Sequence, residues 1–378
     1  MAATLWWGRA PLLGTLVLSV LLLLGMLAFD AFDPSGSGPI LTRFLISVVV
    51  VVGLQIFMGT SGIISFGHVG FMALGAYIVA ILVTPPTIKA TSLDSAPAFL
   101  RDASPDFIVA LLIAFLVTAV VAFVVGIALV RLAGAAAAIA TYGLLVIVQN
   151  LLSNSGSLTL APQTFYGIPA LTTMWWAFAA AVGAILSALV FRYSRSGIAL
   201  EAARSDDLAA RTSGVDIHRA RLRAWTLSAA IVAVGGGLYA TFIQALSPTL
   251  FGLSVTIVYL TMLIFGGSTV SGAVVGAAGI TFITQLLDGI KGSIEVVGKT
   301  VETAHVTTIV LALIIVLVMM FLPGGLLGRW ELHEWPGRIR HRRRLRREER
   351  QRGSETPNDR AAGTPQAGVA TSMSTNNE

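Results

Sequence analysis

The 378-residue sequence has no cysteine and little charge, with only 12% Asp, Glu, Lys and Arg against roughly 25% in soluble proteins. The lack of cysteine excludes a disulfide framework, a thiolate metal site and a cysteine nucleophile. The sequence also lacks a G-x-x-x-x-G-K-[ST] loop and an H-E-x-x-H motif. It therefore carries no signature for binding ATP through a phosphate loop or for metal hydrolysis.

What the sequence does contain is apolar: 55% of its residues are hydrophobic and the mean hydropathy is +0.83. The apolar residues fall in ten blocks of about the length that crosses a bilayer as helix. These blocks predict an all-α polytopic membrane protein with about ten transmembrane helices. They are residues 11–29, 41–59, 63–83, 107–130, 132–152, 173–191, 224–246, 253–267, 269–288 and 305–322.

The first block, 11–29, has two interpretations because Arg9 precedes it, as a basic residue precedes a signal peptide. However, its apolar run is longer than the roughly 7–15 residues of a signal peptide's core. No A-x-A cleavage site follows before Asp30. We therefore expect an uncleaved helix.

The distribution of basic residues predicts the orientation, because cytoplasmic loops carry an excess of Lys and Arg. If the N-terminus is cytoplasmic, twenty of the 25 basic residues lie inside, most of them in 192–223 and 329–378. Ten spans then place both termini in the cytoplasm. The longest outer loops, 84–106 and 153–172, are too short to fold as a binding domain with its own core.

The predicted domains are a transmembrane domain, residues 1–328, with a cytoplasmic loop at 192–223, and a tail, residues 329–378. The tail contains an arginine-rich run, Arg338–Arg352. We interpret this run as an anchor against anionic lipid and not as a nucleic-acid site. The rest of the tail is polar and is expected to be largely disordered.

A glycine-rich segment, residues 59–77, has five glycines together with Ser65 and His68, which is unfavourable for a continuous helix. The segment is either a tightly packed helix of small residues or a broken helix that lines a permeation path. On the second interpretation the fold contains a broken helix near 59–77. The predicted lining residues are polar and uncharged groups or glycine: Gln55, Ser65, Gly67, His68, Tyr77, Gln149 and Asn150.

The loop from Tyr193 to Arg223 is the only predicted inner loop with room for structure of its own. The run Ile198–Thr212 is compatible with a helix, and Gly214 follows it as a helix breaker. The loop is either a solvated connector or a docking element for a cytoplasmic partner.

This loop resembles the EAA-type coupling loop of ABC importer permeases. The matching positions are Ser196, Gly197, Ala199, Leu200, Ala202, Arg204, Asp206, Ala209, Ala210, Gly214 and Val215. Four other stretches are similar to the LivM-type permeases of branched-chain amino acid importers. They are Gly59 to Tyr77, Leu227 to Ala240, Ser247 to Gly267, and Leu322 to Gly328. The match departs in two places, at residues 153–169 and in the missing Leu-Pro that closes the wider EAA motif.

The resemblance implies the membrane-spanning, non-catalytic subunit of an ATP-driven importer for leucine, isoleucine and valine. It also implies two ATPase subunits that bind the ATP, a related permease in a heterodimer, an external binding protein and a bacterial cytoplasmic membrane. No cofactor or metal is expected in this chain. The implied coupling helix spans about 197–214, with Gly197, Glu201, Arg204, Asp206 and Gly214 at the ATPase junction.

Several alternatives stay open at this level. The same kind of machine carries urea, short amides or sugars in related importers. An ion-coupled carrier normally has titratable groups at mid-membrane, and here only His68 and His305 are available in the spans. A passive channel has no reason to carry a coupling loop. An integral-membrane enzyme requires clustered His, Asp or Glu at one face, and none is evident.

Overall fold

The computed structural model describes residues 2–32, 37–92, 101, 104–155, 164–289, 295–296, 299–300, 313, 320–321 and 325–327. Helix dominates these residues. The first half contains α1 (Ala2–Phe32), α2 (Ser37–Leu54), α3 (His68–Val83), α4 (Pro86–Ser92), α5 (Phe107–Leu129) and α6 (Gly134–Asn154). A π-helical turn, Gln55–Gly59, extends α2.

The second half contains α7 (Met174–Arg192), α8 (Arg195–Ser205), α9 (Asp207–Thr212), α10 (Ile217–Ile243), α11 (Leu253–Gly266) and α12 (Val270–Gly289). A 3₁₀ turn, Pro248–Phe251, precedes α11. Strand β1 (Phe165–Tyr166) pairs antiparallel with β2 (Ala245–Leu246), and β3 (Glu295–Val296) pairs with β4 (Lys299–Thr300).

Within the described residues, six helical segments are long and apolar enough to cross a membrane: Gly38–Gly59, Phe107–Leu129, Gly134–Asn154, Met174–Arg192, Ile217–Ile243 and Pro248–Gly266. The predicted all-α membrane class is therefore confirmed. Most of the tenth predicted block, 305–322, and the whole tail, 329–378, lie outside the described residues. The number of spans and the N-in, C-in orientation stay predictions.

Three predicted helix starts are wrong by five residues or more. Helix α1 begins at Ala2, nine residues before the predicted block 11–29. The third block begins at His68 instead of residue 63 because the chain leaves helical geometry at Gly62. The block predicted at 224–246 begins seven residues earlier, at Ile217. There Asp216 Oδ1 accepts a hydrogen bond from the backbone N–H of Arg219 at 3.0 Å, which caps the helix. Hydrophobicity marks where the chain becomes apolar, not where its helix begins.

Helix α10 is central to the bundle and packs against α2, α3 and α5. Helix α5 shows why: its buried positions, Ala110, Ala114, Thr118, Ala122 and Gly126, are small and recur every fourth residue. Residues four apart share one face of a helix, and small side chains let two backbones approach closely. The opposite face of α5 exposes large apolar side chains, as is expected for a surface that meets lipid.

The contact between α3 and α10 is the tightest example of this packing. A Cβ atom added to Gly75 of α3 would lie 2.2 Å from the carbonyl oxygen of Ala233. A Cβ atom added to Gly236 of α10 would lie 2.0 Å from the carbonyl oxygen of Met72. Both positions therefore need glycine because backbone, and not a movable side chain, occupies the space.

We predict that Gly236→Ala destabilises the protein by about 1–3 kcal/mol, the usual effect of overpacking. The added methyl group would force α3 and α10 apart. Gly183→Ala is the matched control, because nothing lies within 4 Å of its added Cβ atom. Thermal unfolding in detergent measures the difference. Equal melting temperatures for the two variants would contradict the close approach.

Candidate functional site

The glycine-rich segment is a broken helix. Two helical residues, Thr60 and Ser61, follow the π-helical turn. The backbone is then irregular from Gly62 to Phe66, and α3 begins at His68. Gly62 has a φ of +73°, a conformation that favours glycine. The interruption is shorter than predicted, since Tyr77 lies within regular helix. The close packing of small residues also occurs, at Gly75.

Side chains satisfy the backbone groups that the break releases. The N–H of Phe66 donates to Thr141 Oγ1 of α6 at 3.1 Å. The N–H of Ile63 donates to Ser61 Oγ at 3.2 Å, and the N–H of Gly67 donates to Ser65 Oγ at 3.3 Å. Non-helical backbone at membrane depth requires such partners because lipid offers none.

His68 occupies an aromatic cluster beside the break. Its ring centroid lies 4.7 Å from that of Trp225 and 5.6 Å from that of Phe57. Trp225 in turn donates from Nε1 to the carbonyl of Ala122 in α5 at 3.0 Å. His68 Nδ1 lies 2.8 Å from Ser65 Oγ. The cluster therefore fixes the start of α3 against α5 and α10.

A second break lies between α11 and α12, at Gly267, which has a φ of +110°. Its released carbonyl groups are also paired. Leu326 N–H donates to the carbonyl of Phe265 at 2.8 Å, and Leu327 N–H donates to that of Gly266 at 3.2 Å. Part of the stretch Leu322 to Gly328, singled out by its family resemblance, thus contacts this second break.

The two breaks touch each other. Gln55 Nε2 in the π-helical turn donates to the carbonyl of Ser268 at 3.1 Å. A Cβ atom added to Gly59 would lie 2.8 Å from the same carbonyl oxygen. Gln55 Oε1 and His68 Nε2 are buried and lack a hydrogen-bond partner among the described residues. The paired breaks therefore hold uncharged polar groups that remain able to bind a ligand.

Four of the seven predicted lining residues belong to this region: Gln55, Ser65, Gly67 and His68. Tyr77 lies further along α3, where its ring approaches that of Phe251 at 6.5 Å. Gln149 Nε2 approaches the carbonyl of Pro248 at 3.5 Å in the same 3₁₀ turn. Asn150 is exposed and is not brought to either group. The predicted set thus separates into two groups and one outlying residue.

Lys89 in α4 is buried near the end of the bundle at which α3 finishes. Its Nζ donates to the carbonyl of Leu82 at 3.1 Å, close to the C-terminus of α3. Burial lowers the pKa of this ammonium group below its ordinary value. A cation at a helix C-terminus is favourable, so Lys89 stabilises the end of α3.

The predicted single coupling helix is wrong, because the loop forms two helices, α8 and α9. Asp206 separates the two helices because its backbone is extended. As the N-cap of α9, its Oδ1 accepts a hydrogen bond from the N–H of Ala209 at 2.9 Å. Gly214 ends α9 with a φ of +77°. Its N–H donates to the carbonyl of Arg211, and that of Val215 donates to Ala210, as in a Schellman motif.

The other coupling residues tie α8 to the bundle. Gly197 is buried so closely that an added Cβ atom would lie 2.2 Å from the carbonyl oxygen of Phe191 in α7. Glu201, largely exposed, pairs with Arg192 at 3.6 Å. Arg204 reaches the helix break, where its Nη1 donates to the carbonyl of Gly59 and its side chain covers Gly62.

Sequence reasoning missed Thr141, Trp225 and Ser268. Thr141 and Trp225 stand in ordinary apolar helices without a local pattern that marks them. Ser268 follows Phe265 to Gly267, which carried the family resemblance. Among the described residues no group of three or more His, Cys, Asp or Glu is arranged to hold a metal ion.

The structure has the features of a membrane permease: long apolar helices, two broken helices in contact, and a polar helix pair that is bonded to one of the breaks. The comparison with protein families then identifies it further. The chain belongs to the family described as "Branched-chain amino acid transport system / permease component", whose model matches residues 38–322. It is therefore the transmembrane permease component of an ABC transporter and not a catalytic subunit.

Curated relatives agree with this assignment. The chain is 28% identical over 303 residues to the high-affinity branched-chain amino acid permease protein LivM of Escherichia coli, covering 71% of this chain and 67% of that protein. Against LivM of Salmonella typhimurium it is 28% identical over 287 residues, covering 67% and 63% respectively. The chain thus spans about two thirds of these relatives' length. No solved structure matches it significantly.

A shorter stretch of the chain is similar to a permease named LivH. The chain is 33% identical over 88 residues to a probable branched-chain amino acid permease protein LivH of Methanocaldococcus jannaschii. That alignment covers 23% of this chain and 28% of the relative.

We predict that Thr141→Val destabilises the protein by about 1–3 kcal/mol, because it leaves the partly buried N–H of Phe66 without its acceptor. Thr118→Val is the matched control, since the buried hydroxyl of Thr118 has no hydrogen-bond partner among the described residues. Thermal unfolding measures stability, and hydrogen exchange at the Phe66 amide reports the local effect. Unchanged exchange at Phe66 in Thr141→Val would show that the bond does not hold the break.

Proposed function

We propose that this chain is the membrane-spanning subunit of an ATP-driven importer for leucine, isoleucine and valine. An external binding protein delivers the substrate, and separate ATPase subunits hydrolyse ATP. The chain pairs with a related permease in a bacterial cytoplasmic membrane. The observation that carries the proposal is the bond from Arg204 to Gly59, which links an exposed polar loop to a helix break in a chain of this permease family.

The helix pair α8–α9 is the proposed docking element. The excess of basic residues in 192–223 favours a cytoplasmic position for it. Leu208 in α9 is 73% exposed, and Ile198 in α8 is 39% exposed. Exposed apolar side chains on an otherwise polar surface are typical of a protein interface. We expect the ATPase to cover both, with Glu201 at the edge of the contact.

Coupling follows from how α8 is attached. Gly197 presses its first turn against α7, so a movement of α8 is transmitted to that helix. Arg204 carries the same movement to the carbonyl of Gly59 and to Gly62. A displacement of the docking element therefore changes the hydrogen bonding of the break. The spans can adopt two arrangements. ATP binding shifts the population toward one of them because the ATP-bound ATPase favours that arrangement.

The substrate class follows from the chemistry of the two breaks. Leucine, isoleucine and valine are zwitterions with apolar side chains. Gln55 Oε1 is an acceptor without a partner among the described residues and suits an ammonium group, and His68 Nε2, likewise without one, can donate to a carboxylate. The apolar side chain requires no charged partner. A path of this kind leaves selectivity to the binding protein.

Urea, short amides and sugars are the nearest alternative cargoes, since they too require hydrogen-bonding groups without fixed charge. An ion-coupled carrier is less favoured, because residues 55–68 and 265–271, which form the two breaks, contain no Asp or Glu, and Arg204 at the first break is bonded to a backbone carbonyl. The cargo is therefore best tested directly in a reconstituted system.

We predict that proteoliposomes containing this chain with its co-purifying ATPase, permease and binding protein accumulate labelled leucine. Accumulation requires ATP, which the ATPase subunits hydrolyse because this chain has no phosphate-binding loop of its own. It also requires the binding protein, which delivers the substrate. Labelled urea and ribose are tested in parallel. Uptake of urea or ribose in place of leucine would change the cargo and keep the mechanism. Uptake without ATPase subunits would contradict an ATP-driven importer.

We predict that Arg204→Gln lowers ATP-driven uptake at least about tenfold while ATP hydrolysis continues, because the link to the break is lost. Arg204→Lys should restore part of the uptake. Arg195→Gln is the matched control, since it removes one exposed charge from the same helix. A parallel loss of uptake and hydrolysis would assign Arg204 to ATPase docking instead. Normal uptake by Arg204→Gln would remove the proposed link.

A further inference from the structure

A groove of about 560 Å³ lies between α5 and α10. Apolar side chains form its walls, including Phe115, Ala119 and Phe123 from α5 and Leu227 from α10. Two arginines, Arg219 and Arg223, line it near the start of α10. The volume is within the range of sites that bind small molecules, about 300–1,000 Å³.

The groove opens on an apolar face of the bundle, as is expected for a surface that meets lipid. Val120 and Val124 on the same helix as Phe123 are 65% and 63% exposed, which suits contact with acyl chains. Arg219 and Arg223 stand in the first two turns of α10, at one end of a helix long enough to cross a membrane. The groove therefore has a polar mouth at the membrane interface and an apolar floor that extends into the bilayer.

The charge at the mouth is only partly compensated. Arg219 pairs with Asp216 at 2.9 Å, and its side chain is 80% exposed. Arg223 Nη1 donates to the neutral Ser196 Oγ at 3.0 Å, and it pairs with no carboxylate among the described residues. The neighbouring Arg221 is instead directed to Asp207, at 3.3 Å.

Thr226, one turn further along α10 than Arg223, also lines the groove. Its buried hydroxyl lacks a hydrogen-bond partner among the described residues, so a rotation of the side chain toward the groove would let it donate to an ester or phosphate oxygen. Guanidinium groups bind phosphate oxygens through paired, charge-assisted hydrogen bonds. A ligand that meets all of these groups must carry a phosphate at one end and a hydrocarbon chain at the other.

We infer that this groove binds an anionic phospholipid. Its phosphate lies against Arg219 and Arg223, and one acyl chain follows Phe123, Ala119 and Phe115. Basic pockets between membrane helices at the interface are typical of such lipids. Because Arg223 also contacts Ser196 in α8, the bound lipid stands beside the first turn of the docking element.

A second groove provides an internal comparison. It has a volume of about 550 Å³ and lies between α1, α2 and α12, and none of its described lining residues is charged. Its lining includes Ala278 of α12, as that of the first groove includes Ala119 of α5. Both grooves are largely apolar and of similar size, but of the two only the α5–α10 groove has arginines among its described lining residues. The inference therefore assigns selectivity for anionic lipid to the α5–α10 groove alone.

The test uses the purified full-length chain in detergent and spin-labelled phosphatidylglycerol, with phosphatidylcholine of the same chains as the comparison. We expect tighter binding of phosphatidylglycerol, which Arg223→Gln weakens about fivefold, the effect of one basic residue near an anionic surface. Arg195→Gln, which removes a charge outside the groove, should leave binding unchanged. Ala119→Trp should abolish the selective binding, whereas Ala278→Trp should not.

Four outcomes would overturn the inference. Equal affinities for the two lipids would show that the arginines do not select a headgroup. Equal effects of Arg223→Gln and Arg195→Gln would show a non-specific attraction. Full competition by millimolar inorganic phosphate would indicate an ion site without a lipid. Absence of phosphatidylglycerol from the complex assembled with co-purifying subunits would assign the groove to a protein contact. Melting temperatures confirm that each variant is folded.

Discussion

An interrupted helix inside a membrane must find partners for its released backbone groups within the protein, because lipid supplies none. The structure around Gly59–Gly67 follows from this requirement. Thr141 from α6 accepts the N–H of Phe66, and Arg204 from α8 donates to the carbonyl of Gly59. Gln55 joins the first break to Ser268 at the second. The elements that surround the break are thus placed by its hydrogen bonds as well as by packing.

This requirement also connects the loop to the membrane region. A residue that satisfies a released carbonyl cannot move without leaving that group unpaired, which costs about 1–3 kcal/mol when the group is buried. Arg204 belongs to an exposed helix, whereas Gly59 lies in the bundle. The conformations of the loop and of the break are therefore linked through one bond. The aromatic cluster of His68, Phe57 and Trp225 gives the break a rigid support on its other side.

Several features of this arrangement could be predicted from local sequence. The glycines between Gly59 and Gly75 indicated an interrupted or closely packed helix, and the structure shows both. Gly214 was recognisable as a helix terminator, since a Schellman motif depends on its own φ and on neighbouring residues. Thr141, Trp225 and Ser268 could not be found in this way. Their partners are 75, 103 and 213 positions away in the chain, and no local pattern encodes a contact at that separation.

The sequence by itself determined the class of protein, because apolar blocks of bilayer length and scarce charge depend only on composition and order. It also determined the family, through motifs between Gly59 and Gly328, and the family model matches residues 38–322. Only the tertiary structure decided what each polar residue does. It turned Asp206 into a helix cap, directed Arg204 to the carbonyl of Gly59 and separated Asn150 from the other predicted lining residues. The reason is physical: a side chain's role depends on which unpaired group the folded chain brings within hydrogen-bonding distance.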